Sequence, residues 1–232
     1  MHAEREIFLA QGFICYPKFF ARSEITKASL DGTKAVDIVR KLESTQFVHG
    51  AKFVKPIDTG SPEVCLRVEW IKHLFKGISE LTGHKRLSNL MQILCDQKKS
   101  DEIICQLNYR IPWDETSYAI HRDLQLDKGV FSSEKDIHHS ALVSIGLGEA
   151  DENSAPLVLF PGSHKGDYDR DAKSLSLDEG LLMPLGPGDI VVFHPALLHG
   201  SGPNHTSSYR FLALSLFVPK NSYQRVSPDF SI

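Results

Sequence analysis

His121, Asp123 and His199, followed by Arg210, are the residues whose types and spacing promise chemistry in this chain. Two imidazoles and one carboxylate can occupy one face of an octahedral ion and leave the opposite face open, the ligand set of non-haem Fe(II) oxygenases. Residues two apart on a strand, or at its end, point to the same side, so His121 and Asp123 can approach one ion together. His199 then has to arrive from another strand. The triplet carries little weight alone: with 11 His and 16 Asp among 232 residues, chance supplies about one His-x-Asp in a chain of ordinary composition. His2-Ala3-Glu4 has the same spacing at a terminus expected to fray.

The elements that must position these residues fall into two regimes. Up to about Asp96 the pattern is largely helical. One helix is expected from Ala3 to Gln11, stopping at Gly12, and another after the N-cap Ser23, with Ile25, Leu30, Val36, Val39 and Leu42 on one face. A third is expected from Ile78 to Cys95, and Phe47 to Ile57 and Val64 to Ile71 read as strands. From Ile103 onward, short apolar, β-branched or aromatic runs alternate with Gly, Pro, Asn and Asp, the mark of successive strands. Seven are expected: Ile103 to Ile111, Ser117 to His121, Ser140 to Gly146, Leu157 to Phe160, Leu181 to Pro184, Ile190 to His194 and Tyr209 to Val218. That number suits a jelly-roll barrel. Leu157 to Phe160 and Phe211 to Phe217 are apolar on both faces, as strands covered on both sides should be. Asp167 to Leu177 is the candidate mobile loop.

Composition excludes several classes. Hydrophobic residues make up 41% and charged residues 24%, ordinary for a globular domain, and the length suits one domain over residues 1–232. A helix-rich part (1–102), a jelly-roll core (103–218) and a C-terminal tail (219–232) are expected within it. A formal net charge of -3 gives no reason to expect nucleic acid. No run reaches the roughly 18 apolar residues of a membrane span, and the charged start Met1-His2-Ala3-Glu4-Arg5-Glu6 is unlike a signal peptide. A soluble, cytoplasmic protein with a small-molecule substrate is expected. Cys15, Cys65, Cys95 and Cys105 form no C-x-x-C pair and read as reduced thiols.

Three blocks carry a resemblance. Asn153-Ser154-Ala155-Pro156-Leu157-Val158-Leu159-Phe160-Pro161-Gly162-Ser163-His164-Lys165 is the first, and Gly188-Asp189-Ile190-Val191-Val192-Phe193-His194 the second. The third is Leu198-His199-Gly200-Ser201-Gly202-Pro203-Asn204 with the trailing Arg210. In order and spacing they resemble the phytanoyl-CoA dioxygenase family of Fe(II)/2-oxoglutarate oxygenases over about residues 103 to 218, and the N-terminal third resembles it loosely. Departures are Ser154 where the family has glycine, one extra residue before Pro161, and Arg122 where glutamine is common.

The resemblance implies a double-stranded β-helix, a mainly β jelly-roll with N-terminal helices packed on one side. It implies that His121, Asp123 and His199 bind Fe(II), that Arg210 grips the distal carboxylate of 2-oxoglutarate, and that Ser201 adds a hydrogen bond there. The C1 carboxylate and keto oxygen of the cosubstrate would chelate the metal and leave one position for O2. Gln106, Asn108 and Tyr118, on strands leading into His121, are further candidate cosubstrate contacts. Halogenating relatives replace the carboxylate by a small residue, so Asp123 favours hydroxylation or another hydrogen-abstraction outcome; hydroxylation of an aliphatic C–H is expected, and desaturation, epoxidation or ring rearrangement would use the same site. Two other classes stay open: a metal- or ligand-binding barrel without turnover, and a cupin-like isomerase or hydrolase using a divalent ion as Lewis acid.

Other residues have structural readings. A guanidinium at the head of the last apolar strand is costly unpaired, so Arg210 is expected to have a carboxylate partner, Asp189 being the structural alternative to a ligand. His138 and His139 are adjacent, point apart on a strand, and read as strand-entry residues. His164 reads as a turn residue and His194 as a strand-end residue near the site. Trp70 and Trp113 are expected to pack or line the pocket.

Overall fold

The apolar runs of the second half pair into two sheets, and the alternation of their side chains decides what each face covers. A computed structural model describes residues 3–55, 67–123, 134–166 and 170–220 of the chain. Its helices are α1 (Ala3–Gln11), α2 (Arg22–Val39), α3 (Lys76–Thr82), α4 (Lys85–Leu94) and α5 (Glu134–His138). The strands of the first half are β1 (Phe13–Tyr16), β2 (Gln46–Val48), β3 (Ala51–Val54) and β4 (Arg67–Glu69), followed by the long β5 (Ser100–Arg110) and β6 (Tyr118–His121). Those of the second half are β7 (Ala141–Gly146), β8 (Leu157–Leu159), β9 (Leu181–Met183), β10 (Ile190–Phe193), β11 (His199–Ser201) and β12 (Arg210–Pro219).

An eight-stranded sheet in the order β1-β10-β7-β12-β5-β4-β3-β2 faces a four-stranded sheet in the order β6-β11-β8-β9, and every pairing is antiparallel. This is the jelly-roll expected from the sequence. On β12, Ala213 and Phe217 join the core under the helices, while Leu212, Leu214, Leu216 and Val218 join the core between the sheets. The same division separates Val143 from Leu142 on β7 and Val192 from Val191 on β10. Both faces are covered, so these strands read as nearly unbroken apolar runs.

Several expectations are corrected. The N-terminal third contributes β1 to β4 to the large sheet; β2 to β4 fall on the two stretches expected as strands, and β1 is the addition. Phe13-Ile14-Cys15-Tyr16, bounded by Gly12 and Pro17, pairs with β10 as an edge strand. The strand expected from Phe47 to Ile57 is a hairpin: His49 and Gly50 take φ of 47° and 83° between β2 and β3, the left-handed pair that a two-residue turn needs. Residues 56–66, which include the ends of both strands expected there and Cys65, lie outside the described residues.

Helix α2 starts one residue before Ser23, and the Glu24 carboxylate accepts from the Ala21 N–H at 2.7 Å, so Ser23 is inside the helix and is not its cap. Leu30 falls off the buried face and is exposed. The helix expected from Ile78 to Cys95 breaks at Gly83-His84, where the His84 ring accepts the Arg86 N–H and starts α4. His138 ends α5 and His139 stands in the turn that leads into β7, so the pair precedes that strand and is not on it. The loop from 167 to 177 carries short 3-10 turns at Ala172–Ser174 and Leu177–Glu179, with 167–169 outside the described residues.

The turn feeding β10 depends on one glycine. Gly188 has φ +89°, and a Cβ there would lie 2.1 Å from the Phe20 carbonyl oxygen. Gly188→Ala is therefore expected to cost about 2–3 kcal/mol and to lower the thermal midpoint by roughly 4–12 °C in a chain of this size. Gly148→Ala, at a position with open space and no positive φ, is the control that should melt like the parent. Equal midpoints for the two variants in a calorimetric scan would remove this account of the turn.

Candidate metal centre

Register brings the two histidines together. Strands β6 and β11 pair with His121 directly opposite His199, and a register shift follows between His199 and Ser201. Directly opposed residues on an antiparallel pair share a face, and the two imidazole rings lie 4.4 Å apart. Gly200 lets the strands close: a Cβ there would meet the Tyr118 carbonyl oxygen at 2.9 Å and the Leu177 side chain at 2.8 Å. Asp123, two residues past the last ladder pair, turns its carboxylate onto both rings. Its Oδ1 is 3.6 Å from His121 Nε2 and its Oδ2 is 3.4 Å from His199 Nε2. One ligand atom from each of the three lies within 4.8 Å of the others.

The rings are oriented by backbone carbonyls. His121 Nδ1 bonds the Ala119 oxygen at 2.8 Å, and His199 Nδ1 bonds the Leu197 oxygen at 3.0 Å. A carbonyl only accepts, so both Nδ1 atoms carry the proton, and each ring in its neutral form presents the Nε2 lone pair to the centre. Burial pushes the His199 pKa down, with Asp123 offsetting only part of this. Burial also works against a charged His121, but there the Asp123 carboxylate and the Ala119 carbonyl prevail and its pKa is raised. The Asp123 pKa is lowered, because His199, His121 and Arg67 outweigh the burial that would raise it. At neutral pH, then, a carboxylate oxygen and an imidazole lone pair face each other 3.4 Å apart. Asp123 Oδ2 is buried with no hydrogen-bond partner. Such a set fits a divalent ion of intermediate softness, which would satisfy all three lone pairs at once.

A cationic wall stands beside it. Arg210, at the head of β12, is buried opposite Arg110 on β5, and no ion pair to it occurs among the described residues. Burial first, and Arg110 second, push the Arg210 pKa down to about 9, so it remains a cation at neutral pH. The expected carboxylate partner is not Asp189, whose two oxygens accept the Lys18 and Gly186 N–H groups at 2.8 and 3.0 Å and close the turn before β10.

Arg110 was not foreseen from the sequence, although the alternation that turns Gln106 and Asn108 inward also turns Arg110 inward. It bonds Asp114 at 3.3 Å and Thr116 at 2.7 Å, and its guanidinium carbon sits 4.3 Å over the Tyr118 ring. It also donates to Ser201 Oγ at 3.3 Å. With its oxygen accepting from Arg110, the Ser201 hydroxyl is left to donate elsewhere. Two guanidinium groups against the single carboxylate of Asp114 leave this wall with net positive charge.

All eight residues singled out from the sequence, His121, Asp123, His199, Arg210, Ser201, Gln106, Asn108 and Tyr118, line one cavity of about 500 Å³. Asn108 Oδ1 is buried there without a hydrogen-bond partner. That volume is within the range of roughly 300–1,000 Å³ typical of small-molecule sites. Trp70 also lines the cavity, in a left-handed conformation with φ 60°, whereas Trp113 is exposed. The remaining histidines stay apart from the centre. His194 is buried beside His164 and His138, with ring separations of 5.1 and 5.3 Å, and His164 donates to the Leu9 carbonyl from its turn. His139 bonds the Cys95 carbonyl at 2.8 Å. Of the terminal triplet, His2 lies outside the described residues.

Known proteins share this architecture. AviO1 from Streptomyces viridochromogenes Tue57 superimposes with a TM-score of 0.73 at 22% identity, covering 96% of both chains. EctD from S. alaskensis, in a structure with 2-oxoglutarate and 5-hydroxyectoine, gives a TM-score of 0.76 at 18% identity, covering 96% of this chain and 77% of that one. Among sequences, the dioxygenase cdmD of Talaromyces verruculosus is 38% identical over 66 residues, which is 28% of this chain and 22% of that protein. The chain thus spans under a quarter of that relative. No helix among the described residues is long and apolar enough to cross a membrane. The sequence profile described as Phytanoyl-CoA dioxygenase (PhyH) matches residues 8–212 and so takes in both histidines, the aspartate and the arginine: the chain belongs to the phytanoyl-CoA dioxygenase family.

Proposed function

We propose that this chain is an Fe(II)- and 2-oxoglutarate-dependent dioxygenase that hydroxylates an aliphatic C–H of a small organic molecule, releasing succinate and CO2. The observation that carries the reading is the pairing, in one cavity, of a three-residue centre whose lone pairs face each other with a buried arginine that has no ion-pair partner among the described residues. His121, Asp123 and His199 would hold the metal. When bound, Fe(II), 2-oxoglutarate and O2 together supply the hydrogen abstraction and oxygen insertion.

The chain's own residues bind and orient. Arg210 offers a planar fork to the distal carboxylate of the cosubstrate, and the Ser201 hydroxyl donates beside it. Arg110 holds Ser201 in place and keeps that end of the cavity electropositive. Asn108, with its unsatisfied oxygen, and Gln106 and Tyr118 face the space between the arginine wall and the metal centre. Leu142, Leu212, Leu214 and Phe193 give the remaining wall an apolar surface that excludes water and suits an aliphatic group. The same residues would serve desaturation or epoxidation, and the choice depends on the substrate.

The test is succinate release on incubation of the iron-loaded protein with a metabolite library, with mass spectrometry for an added oxygen atom. Oxygen-dependent succinate formation matched to a hydroxylated product is the expected result. A folded, iron-loaded protein that does not bind 2-oxoglutarate overturns the reading. Turnover without O2 or succinate would assign Lewis-acid chemistry instead.

A further inference from the structure

We propose that Arg122, the residue between two members of the centre, is the positioning residue that holds Asp123 in register with His199. The inference rests on the reading of His121, Asp123 and His199 as metal ligands. Because His121 and Asp123 turn to one side, the Arg122 side chain leaves on the other. It reaches the chain segment that leads into His199. Arg122 Nε donates to the Ala196 carbonyl at 2.9 Å and Nη2 donates to the Ser163 carbonyl at 3.1 Å.

Those two carbonyls belong to the scaffold that orients the His199 ring. Ser163 is fully buried and its Oγ accepts the Leu198 N–H at 2.8 Å. The Leu198 carbonyl accepts the Phe160 N–H at 3.0 Å. Between Ala196 and Leu198 stands Leu197, whose carbonyl accepts a hydrogen bond from His199 Nδ1 at 3.0 Å. One guanidinium therefore ties the carrier of Asp123 to the segment that fixes the ring of His199. The β6–β11 ladder cannot do this, because its last pair on this side is His121 with His199 and Asp123 lies two residues beyond. Arginine suits this double contact, because its rigid fork spreads its donors toward two separate acceptors, whereas a lysine ammonium gathers its three donors on one nitrogen at the end of a flexible chain. Partners that only orient metal ligands typically set affinity by 10- to 100-fold.

The experiment titrates the metal-free chain of 232 residues with Co(II) alone and follows both the dissociation constant and the visible ligand-field bands. Arg122→Ala is expected to bind Co(II) about 10- to 100-fold more weakly, with altered bands, while remaining folded by circular dichroism. Arg122→Lys keeps the charge and the stem but not the fork, so it should restore only part of the affinity. If Arg122→Ala does not fold, Arg122→Lys carries the test alone. Folded variants with parental affinity and an unchanged spectrum overturn the proposal even if their thermal midpoints fall, because that would be a purely structural role. Full rescue by lysine also overturns it, since charge alone would then suffice. If the parent chain binds no Co(II), or His199→Ala binds it equally well, the ligand assignment itself fails and the proposal falls with it. Failure of the Arg122 variants alone leaves that assignment standing.

Discussion

His199→Ala is expected to abolish the weak visible charge-transfer band that the parent chain gives with Fe(II) and 2-oxoglutarate under anaerobic conditions, and succinate formation with it. The loss should exceed the roughly 10- to 100-fold that follows removal of a residue merely orienting a ligand, because one of three protein ligands is gone. The fold should survive. His199 is buried, and its ring packs against Phe193 at 4.9 Å and His121 at 4.4 Å, so truncation leaves a small cavity. It also removes the lone pair that faces Asp123 Oδ2 at 3.4 Å, which offsets part of that cost. The contrast is His138→Ala, an exposed imidazole in the separate His194 cluster, which should keep the band. Retention of the band in folded His199→Ala would remove the centre from the mechanism.

Arg210→Met should separate function from stability in opposite directions. Loss of a buried, hydrogen-bonded charge partner typically costs about 2–5 kcal/mol, so the KM for 2-oxoglutarate should rise roughly 30-fold to several thousand-fold. At saturating cosubstrate kcat should change far less, because the grip on a remote carboxylate is the same in the ground and transition states.

Stability should move the other way. Arg210 is buried opposite a second arginine; burial and Arg110 push its pKa down to about 9, with Tyr118 and Asp114 restoring only part. The unfolded chain therefore binds this proton more tightly than the folded one. The cost to the folded state is fully present at neutral pH and is relieved as pH rises above about 9. Methionine removes it, and replacement of buried charge by apolar volume commonly stabilises on the order of 1–4 kcal/mol. Thermal melts at pH 7 are expected to show a higher midpoint for the variant, and 2-oxoglutarate should raise the midpoint of the parent only. An unchanged KM would take Arg210 out of the cosubstrate site.

Much of the candidate site was legible because it rests on short-range rules. His121 and Asp123 share a side because they are two apart, and Gln106 and Asn108 turn inward together for the same reason. The apolar runs of β7, β8, β10 and β12 announce strands covered on both faces. What stayed hidden was long-range or locally ambiguous. Strand β11 is His-Gly-Ser, three residues with no apolar signal, and it exists because β6 and β8 flank it. The His49-Gly50 hairpin lacks the Asn-Gly signature of such turns, and β4 ends at a left-handed tryptophan that no propensity scale favours.

The sequence by itself determined the residue types of the candidate centre, the family blocks and the sheet-forming pattern, since these depend on residue chemistry and on spacings of a few positions. Only the tertiary structure decided the partners. Arg110 and His199 are far apart in the chain from the residues they serve, and pairing register, which local pattern does not encode, sets Arg110 against Arg210 and His199 against His121. Register also decides that Arg210 faces another cation and not a carboxylate, and that Arg122 reaches the backbone beneath His199. Side-chain alternation says which face a residue takes; the residue it meets there is fixed only when two distant strands pair.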